Sequence, residues 1–149
     1  MSLVFFDMDD TLLAGDAEAA WAKYMAENGI MKDEDFKEKI RKFDEDYRRG
    51  ELDFSVYTEF LLTPIKGMTV EAVQNIVKPF CEAIIEEFKD STSKCLLEKH
   101  SLDECLITSG TLTFIVKEVA SLLGIETFFG TDPEVPDTAG DGLLDGGEI

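Results

Sequence analysis

The N-terminal stretch Leu3-Val4-Phe5-Phe6-Asp7-Met8-Asp9-Asp10-Thr11 passes from four apolar residues directly into a cluster of acids. A short continuous apolar run is typical of a strand that is buried on both faces of a sheet, so we predict a strand over residues 3–6. Residues two apart in an extended chain point to one side, about 6.5 to 7 Å apart along the strand. Asp7 and Asp9 are therefore expected to converge at the carboxyl end of this strand, with Met8 turned into the core.

Such a pair of acids favours a cation or a shared proton. Two carboxylates about 5 Å apart repel each other by roughly 3 kcal/mol at an effective dielectric constant of about 20. Mg²⁺ suits the pair, because it prefers oxygen ligands and often takes one or two carboxylates together with waters and substrate phosphate. The carboxyl end of a strand is also where open α/β sheets bind ligands. The acids alone are equally compatible with a polar strand end or a helix cap.

The hydrophobic period changes to a helical one between Asp16 and about Lys89. Four apolar stripes predict four amphipathic helices joined by short loops, which is typical of a small helical bundle. Pro79 interrupts the last stripe and is expected to kink or split that helix.

Two further strands and a helix are predicted after this bundle. Leu102 to Thr108 forms a second buried strand, Ser109-Gly110-Thr111 turns the chain into a helix that Gly124 closes, and Ile125 to Phe129 forms a third strand. This order indicates an α/β fold, a parallel sheet with a helical module inserted after its first strand. We predict a discontinuous α/β core from residues 1–14 and 90–149 and a helical cap from residues 15–89.

Composition excludes several classes of function. The 149 residues suffice for one core, and 32 acids against 14 bases leave a net charge of −18, which repels nucleic acid and anionic membranes. Since no apolar run is long enough for a membrane span or a signal peptide, we expect a cytoplasmic protein with neither nucleic-acid nor membrane partners. The three cysteines are expected to be buried or partly buried thiols without chemistry, and His100 to be an exposed or capping residue at a helix end.

Two motifs resemble those of a known family. Phe5 to Leu13 resembles the first motif of the haloacid dehalogenase (HAD) superfamily of phosphohydrolases, an apolar strand followed by D-x-D-x-T-[LV]. Leu106-Ile107-Thr108-Ser109-Gly110 resembles the second motif, an apolar strand that ends in Ser or Thr. The following helix and the position of the insertion resemble the phosphoserine-phosphatase-like branch. The resemblance implies a HAD-like Rossmannoid parallel sheet with a helical-bundle cap.

The same resemblance implies a Mg²⁺-dependent phosphatase, a phosphoric monoester hydrolase that acts on a small phosphorylated metabolite. Asp7 would be the nucleophile that forms an aspartyl-phosphate, and Asp9 would protonate the leaving alcohol and then activate water. Thr11 and Ser109 would bind the phosphoryl oxygens, with Gly110 and the N-terminus of the next helix adding backbone donors. The carboxylate of Asp7 and the backbone carbonyl of Asp9 would hold Mg²⁺.

Several of these residues have other interpretations. Ser109 taken alone is typical of a helix N-cap, and Thr108 is the alternative phosphate ligand. Asp10 is expected to be a structural acid that holds the loop. Asp16 lies near the position of an acid that grips the substrate amine in phosphoserine phosphatases, which favours a small amine-bearing or polyol phosphate. Glu59 or Leu61 stands where those enzymes have an Arg for the substrate carboxylate, which argues against L-phosphoserine.

The sequence also departs from the family pattern. No Lys or Arg follows Lys117, so the phosphate-clamping Lys has no candidate, and the letters G-D-x-x-x-D at residues 140–145 lack the apolar strand that should precede the acidic motif. A glycine-rich hairpin fits this stretch better. We therefore expect an incomplete core, from a shortened or an inactive chain. No oligomeric state follows from the sequence.

Two rival hypotheses follow from the residues. One is a catalytically inactive or truncated HAD-fold protein that binds metal or phosphate without turnover. The other is a phospho-accepting receiver domain, which also combines acids, Mg²⁺ and a hydroxyl residue. The four-helix insertion after the first strand argues against a receiver domain.

Overall fold

The computed structural model describes residues 2–133. These residues form three strands, six α-helices and one short 3₁₀ helix (Thr63–Ile65). The strands and α-helices are, in chain order, β1 (Leu3–Phe6), α1 (Ala17–Glu27), α2 (Phe36–Arg48), α3 (Phe54–Leu62), α4 (Val70–Glu87), α5 (Ser91–Lys99), β2 (Glu104–Leu112), α6 (Thr113–Leu123) and β3 (Thr127–Thr131). The predicted order of strand, helical insertion, strand, helix and strand is confirmed.

The three strands form one parallel sheet in the order β1-β2-β3. Phe6 of β1 is in register with Ile107 of β2, which is in register with Phe128 of β3. Because the strands run in the same direction, the residues that follow β1 and those that end β2 and β3 lie at one edge of the sheet. This edge carries both motifs.

The burial of β1 differs from the prediction. Phe6 is only 5% exposed, but Leu3 and Phe5 are 54% and 59% exposed, so the expectation that β1 is buried on both faces was wrong. Alternate residues of a strand point to opposite faces of the sheet. The face with Phe6 and Ile107 is buried, whereas Leu3, Phe5 and Phe129 lie on the other face at positions that stay exposed in this part of the chain.

The end of β2 also lies further along the chain than predicted. β2 continues to Leu112 and α6 begins at Thr113, because pairing with β3 resumes at Leu112 after a shift in register that follows Thr108. The N-cap of α6 is Leu112, and no side chain caps this helix. The predicted end of the strand at Thr108 and the predicted turn over Ser109-Gly110-Thr111 were therefore wrong, and the alternative interpretation of Ser109 as a helix N-cap does not hold.

The end of α6 is as predicted. Gly124 is the C-cap, with a φ of 75°, a left-handed conformation that glycine adopts without steric cost.

The described residues divide into two compact units. One contains the chain through Ala20 and from Gln74 to Asp132, and the other contains Trp21–Val73. The sheet and helices α5 and α6 belong to the first unit, as does α4 from Gln74 onward. The assignment of residues 15–89 to a cap stays a prediction.

The helices predicted between Asp16 and Lys89 are confirmed as α1 to α4. Within the second unit, the ring of Phe43 in α2 lies 5.2 Å from that of Tyr57 and 5.0 Å from that of Phe60, both in α3. Such aromatic contacts between two helices bury large apolar surfaces. They explain why the apolar stripes of α2 and α3 face each other.

Pro79 lies inside α4, which runs unbroken from Val70 to Glu87, so the helix does not split there. Proline removes one backbone hydrogen bond from a helix. Val77, Phe80 and Ile84 are at most 2% exposed, and burial of this face offsets the lost bond.

The three cysteines and His100 lie outside the two motifs in the sequence. All three cysteines are free; Cys81 is buried and Cys105 partly buried, but Cys95 is exposed, contrary to expectation. His100 is the C-cap of α5, and its Nδ1 lies 2.8 Å from Oδ2 of Asp103. Within residues 2–133, no helix is both long enough and apolar enough to cross a membrane.

Candidate active site

A tight turn follows β1 and positions the first motif. The carbonyl oxygen of Met8 accepts the amides of Thr11, Leu12 and Leu13 at 3.3, 3.0 and 3.0 Å. Met8, Leu12 and Leu13 are at most 3% exposed, which confirms that Met8 points into the core. Asp10 has a φ of 58°, a left-handed conformation that Asp tolerates better than most residues. The acids are thus placed by a turn rather than by continued extended chain.

Asp9 is held at both of its carboxyl oxygens. Oδ1 accepts the backbone amide of Ala17, the first residue of α1, at 3.1 Å. Oδ2 accepts the hydroxyl of Thr111, near the end of β2, at 2.7 Å. Asp9 therefore has a fixed orientation, and it ties the first motif to both α1 and β2.

Thr111 also connects Asp9 with the second motif. Its side chain is almost fully buried, at 3% exposure, and its backbone amide donates to Oγ of Ser109 at 3.1 Å. Ser109 is thus hydrogen-bonded to Thr111, which in turn is hydrogen-bonded to Asp9. Thr108, the alternative phosphate ligand, is exposed and lies in register with Phe129 of β3. The structure brings Ser109 and Asp9 to the same edge of the sheet.

The remaining predicted residues lie in the same region. Asp7 is exposed just beyond β1, and its Oδ1 accepts the amide of Met8 at 2.9 Å. Thr11 is half-buried in the turn. Gly110 is exposed, and its carbonyl oxygen accepts the hydroxyl of Thr131 at the end of β3. Gly110 therefore anchors β2 to β3 through its carbonyl oxygen.

Two acids at the start of α1 complete the cluster. Oδ1 of Asp16 accepts the amides of Glu18 and Ala19 at 3.0 and 3.1 Å, so this oxygen caps the helix. Oε1 of Glu18 accepts the backbone amide of Leu112 at 3.2 Å. The first turn of α1 is consequently bound to the end of β2.

Burial, with the charges of neighbouring acids, raises the pKa of Asp9 and of Glu18. Burial raises the pKa of Asp9; the Thr111 and Ala17 hydrogen bonds oppose that rise, and the charges of Asp16 and Asp7 add to it. Burial, followed by the charge of Asp16, raises the pKa of Glu18 to about 7. Asp7 is therefore close enough to Asp9 for the two charges to interact. A raised pKa favours the protonated form that a general acid needs.

Thr111 and Glu18 were missed in the sequence. Thr111 falls in the stretch interpreted as a turn, and Glu18 reads as an ordinary first-turn acid of an amphipathic helix. Both contribute through hydrogen bonds to residues 102 and 94 positions away, and no local pattern encodes those partners.

The donors at the sheet edge fit a hard cation such as Mg²⁺. Asp7 offers a carboxylate and Asp9 a backbone carbonyl, while both side-chain oxygens of Asp9 are already engaged. Mg²⁺ often takes only one or two carboxylates from a protein. A cation would also offset the charges of Asp16 and Asp7, which add to the rise in the pKa of Asp9 that burial causes. Among residues 2–133 there is no group of three or more His, Cys, Asp or Glu side chains placed to hold a metal.

The G-D-x-x-x-D stretch at residues 140–145 lies outside the described residues. Its interpretation as a hairpin therefore stays a prediction.

Comparison with known proteins identifies relatives along the whole chain. A family model described as haloacid dehalogenase-like hydrolase matches residues 4–149. A histidinol-phosphatase from Neisseria meningitidis serogroup C (strain 8013) is 30% identical over 150 residues, covering 99% of this chain. The chain spans 66% of the length of that curated relative.

Solved structures show the same fold. A protein of unknown function from Bordetella pertussis Tohama I has a TM-score of 0.83 at 24% identity, covering 100% of this chain and 67% of that one. A phospho-aspartyl intermediate analogue of phosphoserine phosphatase has a TM-score of 0.59 at 17% identity, covering 98% of this chain and 61% of that one. These likenesses concern the fold alone.

Proposed function

We propose that this chain, which belongs to the haloacid dehalogenase-like hydrolase family, is a Mg²⁺-dependent phosphatase. Its active site is the edge of the sheet where β1 and β2 end. The enzyme hydrolyses a small phosphomonoester in the cytoplasm through an aspartyl-phosphate on Asp7. The observation that carries the proposal is the fixed orientation of Asp9, whose carboxyl group is bonded to Ala17 and Thr111 beside the exposed Asp7.

The first half-reaction transfers the phosphoryl group to the protein. A carboxylate oxygen of Asp7 forms a bond to phosphorus while the bond from phosphorus to the ester oxygen breaks. Asp9 donates its proton to that oxygen, so the alcohol leaves in its neutral form. The raised pKa of Asp9 supports this role, because burial favours its protonated form at the start of the reaction.

The second half-reaction restores the enzyme. Asp9, now a carboxylate, takes a proton from water, and the water oxygen attacks phosphorus as the bond to Asp7 breaks. Inorganic phosphate leaves and both acids return to their initial states. The hydroxyls of Thr11 and Ser109 and the amide of Gly110 are proposed to donate hydrogen bonds to the phosphoryl oxygens, where charge is concentrated.

Mg²⁺ would be held by the carboxylate of Asp7 and the carbonyl oxygen of Asp9, and it would supply positive charge that offsets phosphate and carboxylate repulsion. The fixed side chain of Asp9 supports this division of labour. Both of its carboxyl oxygens already accept hydrogen bonds, so we assign the ion to the backbone carbonyl oxygen of Asp9 and proton transfer to its oriented carboxyl group.

We propose an amine-bearing or polyol phosphate as the substrate. The relative at 30% identity is named a histidinol-phosphatase, and histidinol phosphate carries an amine. Asp16 places a further acid near Asp9, and a cationic substrate group would be attracted by its charge. The substitution of Glu59 or Leu61 for a carboxylate-binding Arg argues against L-phosphoserine.

Hydrolysis of p-nitrophenyl phosphate by the full chain in Mg²⁺ tests the proposal. We expect Asp7→Asn to abolish turnover and Asp10→Asn to retain it. The latter is a matched control, since it removes a neighbouring acid from the same turn while Asn also tolerates a positive φ. Turnover that survives in Asp7→Asn would exclude the covalent mechanism. Histidinol phosphate, glycerol phosphate and L-phosphoserine then rank the substrate classes, with histidinol phosphate expected to be hydrolysed fastest.

A second candidate function is binding of metal and phosphate without turnover. It is favoured by the lack, within the described part of the chain, of a third acidic ligand beside Asp7 and Asp9. Isothermal titration calorimetry with MgCl₂ and inorganic phosphate distinguishes the two candidates when it is combined with the activity assay. Binding without product formation would support the second candidate.

A further inference from the structure

We propose that Glu18 is a positioning residue of this site, which holds the segment Thr111–Leu112 in place and thereby orients Asp9. The proposal rests on the proposed phosphatase function. The carrying observation is that Oε1 of Glu18 accepts the amide of Leu112, the residue that follows Thr111.

The hydrogen bonds form a closed ring around Asp9. Ala17 donates to Oδ1 of Asp9, Thr111 donates to Oδ2, and Glu18 accepts from Leu112. Peptide bonds join Ala17 to Glu18 and Thr111 to Leu112. The three hydrogen bonds and these two dipeptides therefore form one closed ring that includes Asp9. The hydrogen bond between Glu18 and Leu112 therefore restrains the backbone position of Thr111 relative to Asp9.

The segment Thr111–Leu112, which Glu18 holds, lies where regular strand pairing and helix capping are both interrupted. Pairing between β2 and β3 is irregular from Thr108 to Leu112, and no side chain caps the helix that starts after Leu112. Thr111 and Leu112 are nevertheless buried, at 3% and 0% exposure. The Glu18 carboxyl group, reaching across from α1, supplies an acceptor where the sheet pattern is interrupted.

Orientation of Asp9 matters because proton transfer requires hydrogen-bond geometry with the ester oxygen. A small displacement of a catalytic group lowers the rate without a matching loss of substrate binding. Glu18 acts here through an acceptor oxygen rather than through its charge. The side-chain oxygen of Gln can accept the same amide, so Gln should replace Glu18 in this role.

The test compares Glu18→Ala and Glu18→Gln in the full chain, with Glu71→Ala as the matched control. Glu71 is likewise the first-turn acid of a helix, and it is exposed. We expect Glu18→Ala to lower kcat for p-nitrophenyl phosphate by about tenfold or more with little change in KM. Glu18→Gln should keep kcat within about threefold of the parent, as expected when an acceptor is preserved. Glu71→Ala should match the parent.

A kcat for Glu18→Ala equal to that of Glu71→Ala would overturn the proposal, as would an equal loss in Glu18→Gln. A second measurement separates this failure from failure of the proposed function. Amide hydrogen exchange of Leu112, followed by NMR, should be faster in Glu18→Ala than in the parent or Glu18→Gln, whether or not the parent is active. An inactive parent would refute the phosphatase, whereas unchanged exchange at Leu112 would refute the positioning role of Glu18.

Discussion

The hydroxyl of Thr111 donates to Oδ2 of Asp9 over 2.7 Å and so joins two motifs whose residues lie 102 positions apart. A buried hydroxyl that donates to a carboxylate both orients it and stabilises its charged form. This bond opposes the effect of burial, which raises the pKa of Asp9. Thr111 is therefore expected to affect both the rate of the proposed reaction and the stability of the fold.

Thr111→Val should lower kcat for p-nitrophenyl phosphate by about tenfold, because Asp9 loses one of its two orienting partners. The free energy of unfolding should fall by about 1 to 2 kcal/mol, since the carboxyl oxygen is left without its donor. Steady-state kinetics and urea denaturation measure the two effects.

Thr111→Ser is the matched control, because it keeps the hydroxyl and removes only a methyl group. It should retain most of the activity. If Thr111→Val and Thr111→Ser lowered kcat equally, packing of the methyl group, rather than the hydrogen bond to Asp9, would determine the rate.

The parts of the fold that depend on residues close together in the sequence could be predicted from the sequence. The bounds of β1 follow from its apolar run and the acids that end it, and Gly124 marks the end of α6 because its left-handed φ favours glycine. Periodicity likewise indicated the helices of the insertion. These signals act over a few residues, so a single sequence contains them.

The end of β2 and the ring around Asp9 could not be predicted in the same way. The strand extends past Ser109 only because Leu112 pairs with Thr131 of β3, a tertiary contact that no local pattern indicates. Glu18 looks like a first-turn acid until its partner Leu112, 94 positions away, is known. The exposure of Phe5 was missed because an apolar run does not reveal which sheet faces are covered.

Gly130→Ala should destabilise the junction between β2 and β3. A Cβ at this position would lie 2.9 Å from the carbonyl oxygen of Thr111 and 3.0 Å from Cα of Thr113. Both are backbone atoms and cannot rotate away, so the strands must separate. We expect the free energy of unfolding to fall by about 1 to 3 kcal/mol in urea denaturation.

Gly110→Ala provides the comparison for this variant, since a Cβ at residue 110 would have no atom within 4 Å. Its free energy of unfolding should stay within about 0.5 kcal/mol of the parent, the usual range for a substitution without new contacts. Similar losses for both variants would indicate that glycine flexibility, not the close approach to Thr111, is responsible.

The cysteines should differ sharply in reactivity. Burial, followed by the charges of Glu118 and Glu82, raises the pKa of Cys81 to about 12, whereas Cys95 is exposed. Because the thiolate is the reactive form, a disulfide reagent such as DTNB at pH 8 should label Cys95 first and leave Cys81 unmodified in the folded protein. Cys95→Ser should remove the fast phase, and Cys81 should react only after unfolding in guanidinium. Fast labelling that persists in Cys95→Ser would contradict this assignment.

The stability of the protein should depend on pH through Glu18. Its pKa in the fold is about 7, above its ordinary value of 4.5, because burial and the charge of Asp16 disfavour the carboxylate. The folded state therefore binds this proton more tightly than the unfolded state does. The stabilisation that results is complete below about pH 4.5 and is lost as the pH rises through about 7.

Glu18→Gln is neutral at every pH and resembles the protonated acid. Its free energy of unfolding should nearly equal that of the parent at pH 4.5 and exceed it by roughly 3 kcal/mol at pH 8, a difference that urea denaturation at several pH values can measure. Glu71→Gln makes the same chemical change at an exposed first-turn position, and its stability curve should run parallel to the parent's. If Glu18→Gln also ran parallel from pH 4.5 to 8, Glu18 would not be held in its protonated form by the fold, and the loss of stability with rising pH would have to come from other acids.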